Sequence, residues 1–230
     1  MPAESDAQRN LNAQGLATRK LLLDTAGRLF ALRGYSGTYL RDLASESGVG
    51  LSSIIYHFQS KHNLYLETIR HFVIDTADLN RLFEPLRHLN YDDPQAIADT
   101  FRDITRMFLE VCHCPNHTPY VTELYARIMV GSDQEALGML LTCFVEVQQL
   151  LPAVIGRIRP DWDARQVGFW MQLFWSQLQY TVMGKRLVLF DMQLGESFPP
   201  EFLDESAWQF TRNCMLPLGL PEPTRNAEKQ

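Results

Sequence analysis

Apolar residues recur at three- and four-residue spacing along nearly the whole chain, and no convincing pair of alternating strands interrupts them. That period predicts an all-helical fold. Leu22, Ala26, Leu29 and Phe30 form one face of a first helix over about residues 17–33, ended by Gly34, the residue that enters the left-handed region without cost. Thr38 stands where a side-chain cap would accept the free amides of a second helix, whose inner face is Leu40, Leu43 and Ala44. Gly48 supplies a sharp turn, and a third short helix covers about residues 51–57. Ser60 caps a fourth, which runs through Leu64, Ile69, Phe72, Val73 and Leu79 towards Pro85.

Past a polar break at residues 90–94 the helices lengthen. Ile97, Phe101, Ile104, Phe108 and Val111 line one; Val121, Leu124, Tyr125, Ile128 and Met129 the next. Residues 137–151 read as a longer helix that Pro152 should kink or interrupt, since proline removes an amide and crowds the preceding turn. Val167, Trp170, Met171, Phe174, Leu178 and Met183 line a helix inside the uncharged window 166–184. Its five serine and glutamine residues are too polar for lipid, so it reads as a helix buried in protein. Leu203, Ala207, Phe210 and Cys214 line the last helix, and the tail from Pro217 should fray. About nine helices result, three small and six longer.

Composition narrows the classes. The chain has 230 residues, enough for one large domain or two small ones, and a net charge of −6 argues against a protein that coats nucleic acid indiscriminately. The charge is uneven: residues 1–62 hold seven Lys/Arg against five acids, the remainder 14 against 22. No apolar run opens the chain, and the four cysteines suggest no disulfide framework, so a reduced, cytoplasmic protein is expected.

Two short helices meeting at a glycine are the helix-turn-helix pattern, whose second helix enters a major groove. Ser52 and Ser53 are small and polar for close approach; Ile54 and Phe58 are the expected underside. Residues 18–66 resemble, in order and register, the DNA-binding domain of the tetracycline-repressor (TetR) family. Ala26 to Tyr35 match its Ala-x-x-Leu-Phe-x-x-x-Gly-Tyr/Phe segment, and Thr38 to Ala44 its Thr-x-x-x-x-Ile/Leu-Ala. Gly48-Val49-Gly50 stand at Gly-Val-Ser, and Ile54 to Lys61 at Leu-Tyr-x-His-Phe-x-Ser-Lys. The chain departs at Gly50, a weaker cap than Ser, at Leu51, where polar residues are frequent, and at Ile55, where the family places a phosphate-contacting Tyr that Tyr56 here replaces.

The resemblance implies a helix-turn-helix domain at 17–62 and an effector-binding, dimerising domain at 63–216, flanked by flexible tails at 1–16 and 217–230. It implies a repressor that binds a near-palindromic operator as a homodimer and is released by a small effector, with no cofactor, no membrane and no catalysis. The expected DNA contacts are Thr38, Arg41, Leu51, Ser52, Ser53, Ile55, Tyr56, His57 and Lys61. Thr38, Tyr56, His57 and Lys61 anchor phosphate, while Leu51 meets thymine methyls beside the two serine hydroxyls. The dimer surface falls at 163–186 and 201–216. Phe101, Phe108, Tyr125, Met129, Phe144 and Trp175 are the expected pocket wall, suited to a hydrophobic or aromatic effector.

Two alternatives stay open on the residues. Cys112, Cys114 and His117 could hold a soft metal or form a thiol switch, although no fourth ligand is apparent. A helical enzyme or adaptor with a degenerate helix-turn-helix is the other, resting on the absence of any cation from the recognition helix; no phosphate loop or hydrolase motif supports it.

Overall fold

A computed structural model describes residues 6–75, 78–113 and 120–225. The described residues are helical, without strands. The order is α1 (Asp6–Arg33), α2 (Leu40–Ser47), α3 (Leu51–Phe58), α4 (Lys61–Ile69), α5 (Leu79–Phe83), α6 (Pro94–His113), α7 (Val121–Val130), α8 (Gln134–Cys143), α9 (Val145–Ile158), α10 (Ala164–Met183), α11 (Lys185–Asp191) and α12 (Pro200–Leu218). The all-helical expectation holds, with twelve α-helices described instead of about nine. A π-helical turn at Arg70–Asp75 and a 3-10 turn at Glu84–His88 break what reads in sequence as one long fourth helix.

The chain divides into two compact units. The first comprises residues 1–76 together with 123–137. Its core is the predicted inner face of α1, with Leu22, Ala26, Leu29 and Phe30 fully buried alongside Leu43, Ile54, Phe58, Leu64 and Ile69. Within it α1 packs chiefly against α4 and α2. α1 begins at Asp6, well before the expected residue 17, so residues 6–16 are helical here although no apolar stripe marks them. Ser60 caps α4 as expected, accepting from the Asn63 amide at 3.0 Å.

The second unit comprises residues 77–122 and 138–230, and α6 against α12 is its main helix pair. Ile97, Phe101, Ile104, Phe108 and Leu109 bury one face of α6. The Trp170 indole donates to the Cys214 carbonyl at 2.8 Å, locking α10 to α12. The helix break expected at Pro152 falls instead at Phe144, where α8 and α9 meet at 44°. Pro152 sits inside α9; Gln148, whose carbonyl loses a partner to it, lies on an exposed turn where water can serve. Among the described residues no single helix is long and apolar enough to cross a membrane.

The tail does not fray where expected. Over residues 219–225 it lies back on its own unit: Trp208 Nε1 donates to the Pro223 carbonyl at 2.7 Å, the Thr224 amide to Asp99 at 2.6 Å, and Arg225 pairs with Glu205 at 2.7 Å. The buried Arg102 guanidinium, 3.2 Å from Asp99 and 2.6 Å from Asp103, also donates to the Thr224 carbonyl.

His113, only 4% exposed at the end of α6, faces Thr181 Oγ1 at 3.4 Å, and its Nδ1 has no partner. Burial, with Lys185 adding repulsion, pushes its pKa from the ordinary 6.5 down to about 3. The folded state therefore holds the neutral ring. Its contribution is complete above the unfolded pKa and is lost as the pH falls from 6.5 through about 3. We expect His113→Leu to flatten denaturation free energy against pH between 6.5 and 4, removing roughly 1 kcal/mol per pH unit of acid sensitivity.

Candidate nucleic-acid interface

The head is built from how its helices end. α1 stops because Gly34 takes φ +71° and its amide returns to the Phe30 carbonyl at 2.9 Å. The tight turn between α2 and α3 is made by Gly48 at φ +69°. Gly50 begins α3 with no side-chain cap, as its identity dictates. Ile54 and Phe58 face the core and fix α3 against the head, which leaves the other face of this two-turn helix to solvent. On that face stand Leu51, Ser52, Ile55 and Tyr56, the last 83% exposed, while Ser53 and His57 are half-buried.

Lys61 opens α4 with its ammonium 4.3 Å from the Tyr35 ring centre and 5.7 Å from that of Tyr39. Partial burial lowers its pKa. The two rings hold the cation by its attraction to their π faces while leaving it half-exposed. Tyr39, 63% exposed, thus joins Lys61 and Tyr56 on the surface around the turn, a partner that sequence reasoning passed over. Its only signal was an aromatic residue directly before a two-turn helix.

Thr38 requires correction. It neither caps α2, where Tyr39 occupies the cap position without a side-chain bond, nor reaches the surface, being 1% exposed. Its hydroxyl lies 2.9 Å from the Gly34 carbonyl and 3.2 Å from that of Leu29. The physical reason is the end of α1, which leaves carbonyls inside the head that need a donor more than α2 needs an acceptor. The Thr38 hydroxyl shapes the head from within.

The basic balance of the head is mostly spent internally. Arg19 pairs with Glu67 at 2.6 Å, Arg28 with Glu46, and Arg33 with Asp42 and Glu46 at 3.3 and 3.1 Å. Among the described residues of 17–62, Lys20, Arg41 and Lys61 are the cations without an acidic partner, and Arg41 lies exposed on α2. α3 carries none.

Four of the six expected pocket-wall residues lie in the second unit. In the second unit Trp175 meets Phe83, Phe108, Phe144 and Phe174 at centroid distances of 5.7, 6.3, 5.5 and 5.3 Å, and Phe101 joins through Phe174 at 6.2 Å. Tyr125 and Met129 belong to the first unit instead, with Met129 exposed. Cys114 and His117 lie outside the described residues. Burial pushes the Cys112 thiol up to about 12, so it is not a ready thiolate ligand or nucleophile. Among the described residues no group of three or more His, Cys, Asp or Glu is placed to hold a metal.

Because the Thr38 hydroxyl serves two carbonyls, Thr38→Val should cost the head about 1–3 kcal/mol by leaving them unsatisfied. Urea unfolding followed by circular dichroism measures that loss, and Thr38→Ser should recover most of it.

Residues 22–68 match the family model for bacterial regulatory proteins of the tetR family. The HTH-type transcriptional repressor KstR2 of Rhodococcus jostii is 42% identical over 57 residues, which is 25% of this chain and 28% of that protein. The biofilm operon negative transcriptional regulator IcaR of Staphylococcus aureus is 37% identical over 49 residues, 21% of this chain and 26% of its own length. The chain thus spans less than a third of the length of these relatives. Among solved structures, HlyIIR, a hemolysin II transcriptional regulator, aligns over 86% of this chain and 98% of its own, with a TM-score of 0.55 at 15% identity. FadR from Bacillus subtilis, in complex with stearoyl-CoA, aligns over 84% and 97%, with a TM-score of 0.59 at 11% identity. At such identities the structures share the fold alone, and it is residues 22–68, with the helix-turn-helix they form, that match the tetR family of bacterial regulatory proteins.

Proposed function

We propose that this chain is a DNA-binding transcriptional regulator, most simply a cytoplasmic repressor, that binds a near-palindromic operator as a homodimer and is released by a small hydrophobic or aromatic effector. One observation carries the reading. α3 is pinned by Ile54 and Phe58, and its opposite face offers Leu51, Ser52, Ile55 and Tyr56 to a groove. Two relatives that match about a quarter of the chain are named as a repressor and a negative regulator.

Sequence reading falls to Leu51 and Ile55 against thymine methyls and to the Ser52 and Ser53 hydroxyls. No guanidinium or ammonium on α3 is available for the bidentate grip on guanine. Tyr56, His57 and Lys61 anchor phosphate, with Arg41 at the edge. The dimer forms through α10 and α12. α10 buries Trp170, Phe174 and Leu178 within its own unit, yet leaves Phe169, Tyr180 and Met183 exposed, and α12 exposes Leu216. A helix that is uncharged over residues 166–183 and keeps exposed apolar side chains on a second face is what a subunit interface requires. The effector lodges among the rings around Trp175. FadR, the neighbour solved with stearoyl-CoA, supports a bulky apolar ligand as the class to test first.

A fluorescence-anisotropy titration against DNA from upstream of its own and adjacent genes tests this. Wild type should bind one fragment specifically. Tyr56→Ala with Lys61→Ala should bind it at least about tenfold more weakly, and Lys61→Ala alone should lessen the salt slope by about 1 per head. Equal binding by the double variant removes the contact assignment. Failure of wild type to bind any such fragment removes the function.

A further inference from the structure

Residues 123–137 lie far along the chain from the helix-turn-helix, yet they belong to the same compact unit. Two polar attachments show how. The first is at the C-terminal end of α1, where the last carbonyls have no partner within the helix. Three of them, and the Leu29 carbonyl just before them, receive donors from beyond the helix. Phe30 receives the Gly34 amide at 2.9 Å and Leu29 the Thr38 hydroxyl at 3.2 Å. Ala31 and Leu32 receive Arg127, Nε and Nη2 respectively, each at 2.9 Å. A guanidinium placed there also meets the negative end of the helix dipole. Gly34 makes the approach possible. A Cβ at that position would stand 2.9 Å from Arg127 Nη1, so the residue that turns the chain at φ +71° also leaves room for the clamp.

The second attachment is at the start of α4. Asp133 Oδ1 accepts the amides of Glu135 and Ala136 at 3.1 and 3.0 Å, opening α8, while its Oδ2 meets His62 Nε2 at 3.0 Å. Glu135 stands 3.7 Å from the other ring nitrogen. Partial burial opposes ionisation of Asp133, but the Ala136 amide and then His62 outweigh it and lower its pKa. His62 follows Lys61 in the chain, and its ring stands edge-on to Tyr35 at 6.0 Å, the same ring that carries the Lys61 ammonium. Between the two attachments lies a cavity of about 360 Å³, lined by Gly34, Tyr35, Tyr65, Arg127 and Asp133 among others. At this edge the segment is therefore held by directed polar contacts around open space, and directed contacts fix position more sharply than a sliding apolar surface would.

We infer that Arg127 and Asp133 are positioning residues of the DNA-reading head: they make residues 123–137 a clamp that fixes the Tyr35–Lys61 corner relative to α1. The inference rests on the function proposed above, and it adds to it a site of control that neither the family's matched segment nor the recognition helix contains. Whatever moves residues 123–137 alters the phosphate anchor without touching α3.

The test uses the full chain and reads two quantities. The first is amide hydrogen exchange over residues 34–38 without DNA. The second is anisotropy against the fragment identified above, compared with the same fragment carrying one additional base pair between half-sites. Arg127→Ala should exchange at least about tenfold faster over residues 34–38, bind the original fragment about tenfold more weakly, and lose most of its preference for the original spacing. Arg127→Lys, which keeps the charge but reaches one carbonyl at a time, should fall between. Asp133→Asn should show the same spacing loss to a smaller degree. Arg157→Ala, which removes a guanidinium stacked on Tyr91 in the other unit, should change none of these. A folded Arg127→Ala with wild-type exchange and wild-type spacing preference overturns the proposal. Should that variant not fold, Arg127→Lys and Asp133→Asn decide it by the same readings. Should wild type bind no fragment, the function falls and exchange alone judges the clamp, which unchanged protection would refute.

Discussion

The head depends on how the end of α1 is satisfied. A helix of this length buries its C-terminal carbonyls against the turn that launches α2, and carbonyls buried without donors cost more than the turn could return. Gly34 supplies the left-handed residue, Thr38 the hydroxyl, and Arg127 the guanidinium. Gly34 and Thr38 come from the turn itself and Arg127 from far along the chain, and they are tied together: the Thr38 hydroxyl also bonds the Gly34 carbonyl, and the missing side chain of Gly34 leaves room beside Arg127. With α1 closed this way, α2 starts in a fixed direction, Gly48 turns the chain, and Ile54 and Phe58 set the roll of α3. The exposed face of α3 is then a consequence of burial elsewhere, not a property of α3 alone.

The charge of the head follows the same economy. Its positive balance looks, as a count, like attraction for phosphate. In three dimensions the arginines of α1 hold α2 and α4 through Glu46, Asp42 and Glu67. These partly exposed pairs contribute little stability each, but they remove three arginines from any surface field. What remains among the described residues of 17–62 is a small set of cations without an acidic partner, Lys61 among them, held between two tyrosine rings. A head with few free cations gains little from non-specific DNA, so more of its binding must come from fit. That suits an α3 which offers methyl-sized and hydroxyl groups in place of a long cation.

Much of this was legible. The three-four spacing of α1, the glycines at 34 and 48, the Ser60 cap and the underside of α3 all follow from local rules, and all appear as read. The misreadings share one cause: tertiary demand outbid a local preference. Thr38 has the identity of a cap, but buried carbonyls claim it. Pro152 is a helix breaker by chemistry, yet an exposed turn tolerates it, while the helix breaks at Phe144, whose ring lies 5.5 Å from that of Trp175. The clamp was beyond reach for a different reason. Arg127 and Ala31 are separated by 96 positions, and nothing in a surface arginine's neighbours announces that its partners are the backbone oxygens of a distant helix end.

α10 brings the larger unit into the same argument. Its uncharged stretch, residues 166–183, reads as burial on all sides, but one chain covers only part of it. Trp170, Phe174 and Leu178 meet the unit's own core, and the opposing row of Phe169, Tyr180 and Met183 does not. The amides along the helix explain how a single chain tolerates this: Gln177 donates to the Phe210 carbonyl at 3.4 Å and accepts from Asn213 at 3.0 Å, tying α10 to α12 by polar bonds next to its bare apolar row. A helix pair fixed in this way is rigid before any partner arrives. Association through it would then bury apolar surface without first having to order that surface, which spares part of the usual cost of binding.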